Sequence, residues 1–272
     1  MKPSVLLNTI LFMLPLFFLG CQDGVSGFLD KPPVIPPSTG CKLVKTYEYI
    51  DNGTIDSTFY TYTGDHVSKV QTKDLYYTLD YNGSKIVRRN FFDNNSATST
   101  GYDLISYNPD STIKTIDRMT INSGTTLQDY RYQFTYTGGK LTKMTTLIND
   151  GNGQFVINAT DSLVYTGNNI TKWIGREFQS GNFSASATFT FDNKPNYFLK
   201  QNPQTLLINP DALDLVGISF VLFLSQNNML SSDEPGTETD INSVIYAEDD
   251  HGNLSTLTAN GKLGLTCFYQ CP

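Results

Sequence analysis

Apolar and polar residues alternate along much of the chain, with the period of two that is typical of β-strands packed on one face. In Tyr132-x-Phe134-x-Tyr136, for example, three rings fall on the same face. Thr-Gly, Asn-Gly or Gly-Gly follows many such segments, and these pairs supply the positive φ of a tight hairpin turn. The stretch Leu141-x-Lys-Met144-x-x-Leu147 then starts a return strand. The pattern predicts a unit of strand, tight turn, strand and looser loop.

This unit recurs with matched offsets. An aromatic residue, here called the anchor, precedes each turn, and a β-branched or Leu residue, here called the return residue, follows it. The clear anchor and return pairs are Tyr62 with Val67, Tyr81 with Ile86, Tyr107 with Ile113, Tyr136 with Leu141, and Tyr165 with Ile170. Phe191, and Tyr246 with Leu254, belong to degenerate copies. A single hairpin cannot bury its apolar face, so we expect the units to join into one continuous sheet.

The repeat predicts a mainly β fold, an antiparallel meander of roughly ten to fourteen strands in a single domain. We expect an open, curved sheet rather than a closed barrel, because the loops between units differ in length and no ligand-cavity pattern is evident. The longer loops are residues 92–101 and 149–154.

The segment Tyr165-Thr-Gly-Asn-Asn-Ile170-Thr-Lys172 and its copies resemble the YD or RHS-type repeat, in which a tyrosine strand end, a glycine turn and an apolar return strand recur. The organisation is also similar to that of uncharacterised repeat lipoproteins of Bacteroidetes, a domain of unknown function. The resemblance covers about residues 45–200 and returns near 242–258. Large RHS proteins have many more repeats, so the resemblance implies a fold and no particular activity.

One stretch interrupts the alternation. Asn209-Pro210-Asp211 combines a capping Asn, Pro at the first helical position and Asp in the first turn. Apolar residues continue to Leu224, and Asn in 225–228 can cap the end. We predict one short helix in an insertion at about 209–226, packed on the sheet. A strand over 216–224 is the alternative, because β-branched and aromatic residues are dense there.

The chain begins like an exported lipoprotein. Lys2 precedes an apolar run over 5–19 that suits a signal-peptide core and is short for a membrane span. Phe18-Leu19-Gly20-Cys21 resembles a lipobox, which implies acylation of Cys21 after removal of residues 1–20. Residues 21–40 form a Pro-rich tether and 41–272 the β-repeat domain. We expect an outer-membrane lipoprotein that faces the periplasm or the cell exterior.

Composition and charge narrow the class of function. Hydrophobic residues make up 39% of the chain and aromatic residues 12%, enough for a packed core. The formal charge is −7, and nucleic-acid binding requires a basic face. We therefore expect no nucleic-acid partner.

Three cysteines remain in the mature domain: Cys41, Cys267 and Cys271. An oxidising compartment favours one disulfide and one remaining thiol. Cys267 and Cys271 would lie ~13 Å apart in one extended strand, beyond disulfide reach. We expect Cys41 to bond either Cys267 or Cys271.

The residues that could carry chemistry are few. Both histidines, His66 and His251, fall in predicted turns, and no Gly-x-Ser-x-Gly is present. The segments Glu248–Asn253 and Asn149–Gln154 faintly resemble calcium loops but lack the EF-hand spacing, so turn chemistry is the simpler interpretation. Trp173 is either core or a platform for a ligand such as a sugar.

These observations predict no catalytic residue, metal or cofactor. We expect a lipid-anchored, non-enzymatic envelope protein that binds or scaffolds an envelope protein or glycan. The alternative is a glycan-binding or carbohydrate-active surface lipoprotein.

Overall fold

Sixteen strands and one short helix make up the regular structure of the described residues. The structure is a computed structural model that describes residues 40–49, 54–178, 184–198, 207, 218–235 and 240–272. The strands are β1 (Lys42–Tyr49), β2 (Ile55–Thr63), β3 (His66–Gln71), β4 (Leu75–Asn82), β5 (Lys85–Asp93), β6 (Ser99–Tyr107), β7 (Ile113–Asn122), β8 (Thr125–Thr137), β9 (Lys140–Asn149), β10 (Phe155–Thr166), β11 (Asn169–Glu177), β12 (Ser184–Pro195), β13 (Asn227–Asp233), β14 (Val244–Glu248), β15 (Leu254–Ala259) and β16 (Lys262–Gln270); helix α1 (Ile218–Leu224) lies between β12 and β13.

All the strands belong to one antiparallel sheet. Strands β1 to β13 lie side by side in chain order, β16 pairs with the free side of β1, and β15 and β14 follow. The edges of the sheet meet at a bridge between Ser232 of β13 and Ile241, which lies three residues before β14. The Tyr246 hydroxyl also donates a hydrogen bond of 2.8 Å from β14 to the Met229 carbonyl of β13. The sheet is therefore nearly closed into a barrel, with one unsealed seam between β13 and β14.

The sheet consists of eight hairpins with one common register. In every hairpin the residue at the anchor position lies opposite the return residue. The five pairs predicted from the sequence have this register, which confirms the tight hairpins at those positions. The other three pairs are Phe191 with Met229, Glu248 with Leu254, and Tyr269 with Leu43. Glu248, rather than the predicted Tyr246, thus occupies the anchor position of the seventh hairpin.

A β-bulge accompanies every hairpin. The register shifts beside each anchor. As a result, the residue directly after the return residue, such as Ser68 in β3, has no partner on the opposite strand. Neighbouring hairpins are also joined by one rule: the second residue after a return residue pairs with the third residue before the next anchor. Lys69 pairs with Thr78 in this way, and Lys172 with Thr188. Seven of the eight junctions follow this rule.

The prediction of an open sheet with ten to fourteen strands was wrong. The structure has sixteen strands, and the sheet turns back on itself until its edges meet. Each bulge bends and coils its strand in the same sense. Eight bulges at equivalent positions therefore accumulate into near closure. Variable loop length, from which we predicted an open sheet, has no bearing on this curvature.

The core lies inside the curved sheet, on the face that carries the return residues. Val67, Ile86, Ile113, Leu141 and Ile170 are all buried. On the outer face, the residues that alternate with the core are largely Thr, Ser, Gln and charged residues.

The chain between β12 and β13 adds to this core. The side chains of residues 220–224 in α1 are buried, and a helix that is apolar on all sides suits such a position. The predicted helix is found over Ile218–Leu224 in place of the alternative strand. Its proposed start at Asn209-Pro210-Asp211 lies outside the described residues, as do residues 1–39, including Cys21 and most of the tether.

Candidate functional site

The anchor tyrosines form a ladder at one end of the barrel, the end that carries the tight turns and is here called the turn end. The hydroxyls of four of the five tyrosines donate to the carbonyl of the preceding return residue. Tyr81 reaches Val67 at 2.8 Å, Tyr107 reaches Ile86 at 2.7 Å, and Tyr165 reaches Leu141 at 2.9 Å. Tyr62 makes the equivalent bond to Leu43 at 2.8 Å, and the Tyr136 phenol interacts with the backbone of Ile113. Burial raises the pKa of all five phenols, so the ladder stays protonated.

The ladder changes where the insertion meets the turn end. Phe191 occupies an anchor position but has no hydroxyl. Ser225, directly after α1, instead accepts a hydrogen bond of 3.1 Å from the Ile170 amide. The buried Asn196 side chain donates to the carbonyls of Leu222 and Ser225 at 2.6 and 2.7 Å. These bonds fix α1 against β11 and against the end of β12.

A disulfide closes the eighth hairpin, which has no turn of its own. Cys41 precedes β1, Cys271 follows β16, and the structure joins them across 230 residues of chain. Lys42 lies opposite Gln270, just as Thr63 lies opposite His66 in the first hairpin. The disulfide therefore stands where other hairpins have their turn residues. This is one of the two pairings that the sequence left open, and Cys267 is a buried thiol whose pKa is raised by burial.

A buried ion cluster lies on the inner face of β5 to β7. Arg89 and Asp103 are both fully buried, and they pair through Nη2 and Oδ2. Arg118 donates from Nε to the other oxygen of Asp103 at 3.2 Å. Arg89 also donates from Nη1 to the Leu207 carbonyl at 2.6 Å. Since Leu207 belongs to the insertion between β12 and β13, this last bond crosses the barrel interior.

A second polar group, also buried, lies on β10 and β11. Trp173 donates from Nε1 to Oδ1 of Asp161 at 2.9 Å, and its ring lies over Gly175, where an added Cβ would be 2.4 Å from the ring. Asp161 is 4% exposed, and its Oδ2 has no hydrogen-bond partner among the described residues. Burial raises the pKa of this carboxyl to about 7, although the Trp173 hydrogen bond lowers it. Trp173 is half-buried and packs against the core.

The remaining predicted residues lie in turns. The His66 ring lies 4.6 Å from the Tyr81 ring. His251 approaches Cys41 and Cys271 with ligand atoms within 4.8 Å of one another, but both sulfurs belong to the disulfide and supply no thiolate.

The two calcium-like segments form hydrogen-bonded turns. Asp150 Oδ1 accepts from the amides of Asn152 and Gln154 at 2.8 and 3.1 Å. These bonds lower the pKa of Asp150. Asp249 Oδ1 accepts from His251 and Asn253 at 2.9 and 2.8 Å. These arrangements are ordinary Asx-type turns.

Sequence reasoning missed the polar groups of the interior. Asp161, Arg89 and Asp103 all fall at core positions of alternating strands, where a charged residue is unusual. Register could have identified the two carboxylates, because Asp161 and Asp103 each lie four residues before their anchor on the same face of the strand. The chemical types alone are common in the chain.

These features define a hairpin-repeat β protein with a buried apolar core, closed by a disulfide at one hairpin and open at one seam. No helix among the described residues is both long and apolar enough to cross a membrane. The chain matches no protein-family model and no curated protein.

Several solved structures resemble this fold. A porin-like protein from Bacteroides uniformis is 12% identical, with a TM-score of 0.50 over 83% of this chain and 96% of that one. A porin-like protein from Bacteroides vulgatus is 14% identical, with a TM-score of 0.45 over 84% and 98%. A DUF3836 family protein from Bacteroides vulgatus is 14% identical, with a TM-score of 0.27 over 31% and 91%. The first of these likenesses indicates a similar fold over 83% of this chain.

Proposed function

We propose that the protein is a lipid-anchored component of the bacterial cell envelope that binds or scaffolds other envelope components and has no enzymatic activity. The observation that carries this proposal is the polarity of the wall: the inner face is largely apolar and buried, whereas the outer face is mostly polar, with scattered exposed apolar residues such as Phe59 and Val164. A membrane-spanning barrel has the reverse arrangement, an apolar band outside and a polar interior. The wall therefore suits an aqueous compartment, where it presents loops and edges to partners.

The outer face carries charges that a lipid bilayer would oppose. Arg131 of β8 and Asp117 of β7 form an ion pair of 2.6 Å there. Lys172 lies on the same face of β11, between the inward-facing Ile170 and Trp173. A basic residue on the lipid-facing surface costs about 2–4 kcal/mol near the bilayer midplane. This supports an anchor at the N-terminus rather than insertion of the sheet.

The anchor that we propose is acylated Cys21. β1 starts at the turn end, next to Cys41, so a tether over residues 22–40 would leave the barrel there. Nineteen extended residues span at most ~65 Å, which allows the domain to stand well clear of the headgroups. The opposite end, with the loops after β7 and β9, would then be the end that can lie farthest from the membrane.

The carboxylates of the interior give the enzymatic alternative little support. Glycoside hydrolysis requires two carboxyl groups about 5–9.5 Å apart. The buried carboxylates Asp103 and Asp161 lie on β6 and β10, four strands apart, which is ~19 Å along the sheet. Asp103 is held between Arg89 and Arg118. A sugar platform at Trp173 is also disfavoured, because one side of its ring lies against Gly175.

Replacing Cys21 by Ser tests the anchor. We expect Cys21→Ser to move the full-length protein from the membrane fraction to the soluble envelope fraction, with loss of acyl label. Cys267→Ser is the matched control, since it also removes a thiol. Membrane retention of the Cys21 variant would contradict the lipid anchor. Steady conductance of the purified protein in planar bilayers would contradict the argument from wall polarity, and glycan turnover abolished by Asp161→Asn would contradict the non-enzymatic role.

We also propose that the hairpins are of the YD or RHS type. The support is the anchor tyrosine at the strand end, the turn glycine at positive φ and the apolar return residue, repeated at one register. A sequence profile built from relatives of this chain should align with YD repeats at the anchor and the turn glycine. Alignment at another offset would contradict this kinship.

A further inference from the structure

The seam between β13 and β14 is the one junction where the sheet is not continuous. Among the described residues, the backbone hydrogen bonds across it are the two that link Ser232 and Ile241, at 2.9 and 3.0 Å. Closer to the turn end the contact is made by side chains, including the Tyr246 hydroxyl on the Met229 carbonyl. Within the described part of the chain, no strand covers the rest of either edge.

The seam stays open because the registers of the two edges do not match. Under the rule of the other seven junctions, Ser232 of β13 would lie opposite Val244 of β14. It lies opposite Ile241 instead, three residues away. Ser232 and Ile241 are both buried, and the residues between Ile241 and β14, Asn242 and Ser243, belong to no strand. The bridge is therefore not continued as a ladder along β14.

Part of the usual protection against pairing with another chain is missing from the edges, although each edge strand belongs to a hairpin with a bulge. Natural edge strands are often blocked by Lys or Pro, and neither occurs within β13 or β14. Leu230 of β13 is 38% exposed and Ile245 of β14 is 62% exposed. Leu230 directly follows the buried Met229, and Ile245 directly follows the buried Val244. Both side chains therefore point outward. They form an apolar border on the two sides of the seam.

The part of the sequence that includes both edge strands carries charge of one sign. The stretch from Gln201 to Gly261 contains nine of the 26 acidic residues and none of the 19 Lys and Arg residues. Its formal charge is −9, whereas the whole chain carries −7, so the rest of the chain is slightly basic. Among the described acidic residues, Asp233 ends β13, Glu248 ends β14, and both are exposed. An approaching segment of positive charge is attracted to this side of the barrel.

We propose that the seam binds an extended, cationic segment of a partner protein by β-strand addition. The segment's backbone hydrogen-bonds to the edges of β13 and β14, its apolar residues contact Leu230 and Ile245, and its Lys or Arg residues face the acidic rim. Strand addition gives affinity through the main chain and specificity through alternate side chains. This inference rests on the proposed binding role and names the chemistry of the partner.

A labelled peptide of eight alternating Val and Lys residues tests the proposal with the full mature protein. We expect saturable binding, with hydrogen-exchange protection at residues 229–231 and 244–246. The dissociation constant should rise about tenfold or more between 50 and 500 mM salt, because exposed charges are screened. Two control peptides should not bind: one with Pro at its centre, which removes a backbone donor, and one with Glu in place of Lys.

A double variant, Leu230→Lys with Ile245→Lys, should weaken binding of this peptide at least tenfold. Leu104→Lys, also at an exposed apolar position of the outer face, is the matched control and should bind normally. Circular dichroism of both variants checks that the sheet is intact.

Protection elsewhere, or equal binding of the Pro peptide, would overturn the proposal. Protection of the seam that depends on protein concentration without peptide would assign the edges to a second copy and also overturn it. None of these outcomes bears on the Cys21→Ser fractionation, so failure of this proposal is distinguishable from failure of the lipid anchor.

Discussion

Asp161 makes the stability of the protein depend on pH in an unusual sense. A carboxyl in an unfolded chain has a pKa near 3.9, whereas burial raises the pKa of Asp161 to about 7. Between these values the folded state holds a proton that the unfolded state has lost. Stability therefore falls as the pH rises from about 4 to 7 and then becomes constant. Most aspartates in folded proteins have the opposite effect.

We expect Asp161→Asn to remove this dependence. Wild-type protein should lose about 3 kcal/mol of unfolding free energy from this group between pH 5 and pH 8, and the variant should lose little. Asn retains an oxygen for the Trp173 indole and carries no charge. Urea unfolding at the two pH values measures the difference. Asp103→Asn is the control and should destabilise the protein at both values, since it leaves Arg89 and Arg118 without their shared carboxylate. An unchanged pH dependence in Asp161→Asn would contradict the assignment.

The residues that were predicted interact with close neighbours in the sequence, whereas those that were missed interact with residues on other strands or in the insertion. Tyr81, Gly83 and Ile86 act within one turn, so their spacing alone indicates a hairpin. Arg89 takes its role from Asp103 on the next strand and from Leu207 in the insertion. No pattern within a few residues of Arg89 records either partner. The sequence therefore predicts the hairpins but not the ion cluster.

At the scale of the hairpin, the hydrogen bonds of the anchor hydroxyls link successive hairpins. We expect Tyr81→Phe to lower the unfolding free energy by about 0.5–1.5 kcal/mol, because the Val67 carbonyl loses its donor. Tyr102→Phe is a suitable control: this tyrosine lies on the outer face beneath the Arg88 guanidinium, outside the ladder. Denaturant titration compares the two. Equal effects of the two substitutions would argue that the ladder bond contributes nothing.

Bulges explain why near closure of the sheet was not foreseen. Ser68 in β3 and Thr142 in β9 are the extra residues of their hairpins, and each hydroxyl hydrogen-bonds to the carbonyl of the opposite strand, at Thr61 and Thr135. The residue after the return residue is often Ser or Thr in the sequence repeat. The sequence shows this residue, but whether it has a partner on the opposite strand depends on how the two strands pair. The curvature of the sheet results from that pairing.

At the scale of the whole molecule, the Cys41–Cys271 disulfide links the first strand to the last. We expect reduction, or Cys271→Ser, to lower the unfolding free energy by about 3–5 kcal/mol, since the bond closes a loop that includes nearly the entire domain. Denaturation with and without reductant measures this. Cys267→Ala keeps the disulfide and should leave the effect of the reductant unchanged. Peptide mapping that joined Cys267 to either partner would contradict the pairing.

The disulfide takes the place of a turn in the eighth hairpin, so the connection there is equivalent to the turn of any other hairpin. Tyr269 and Leu43 have the same register as Tyr136 and Leu141, whose hairpin has Gly138 and Gly139 at its turn. A circular permutant can therefore exchange the two connections: an Asn-Gly linker replaces the cystine between β16 and β1, and new termini open between the two glycines. We expect the permutant to give the same circular dichroism spectrum and a cooperative unfolding transition, because all sixteen strands keep their neighbours.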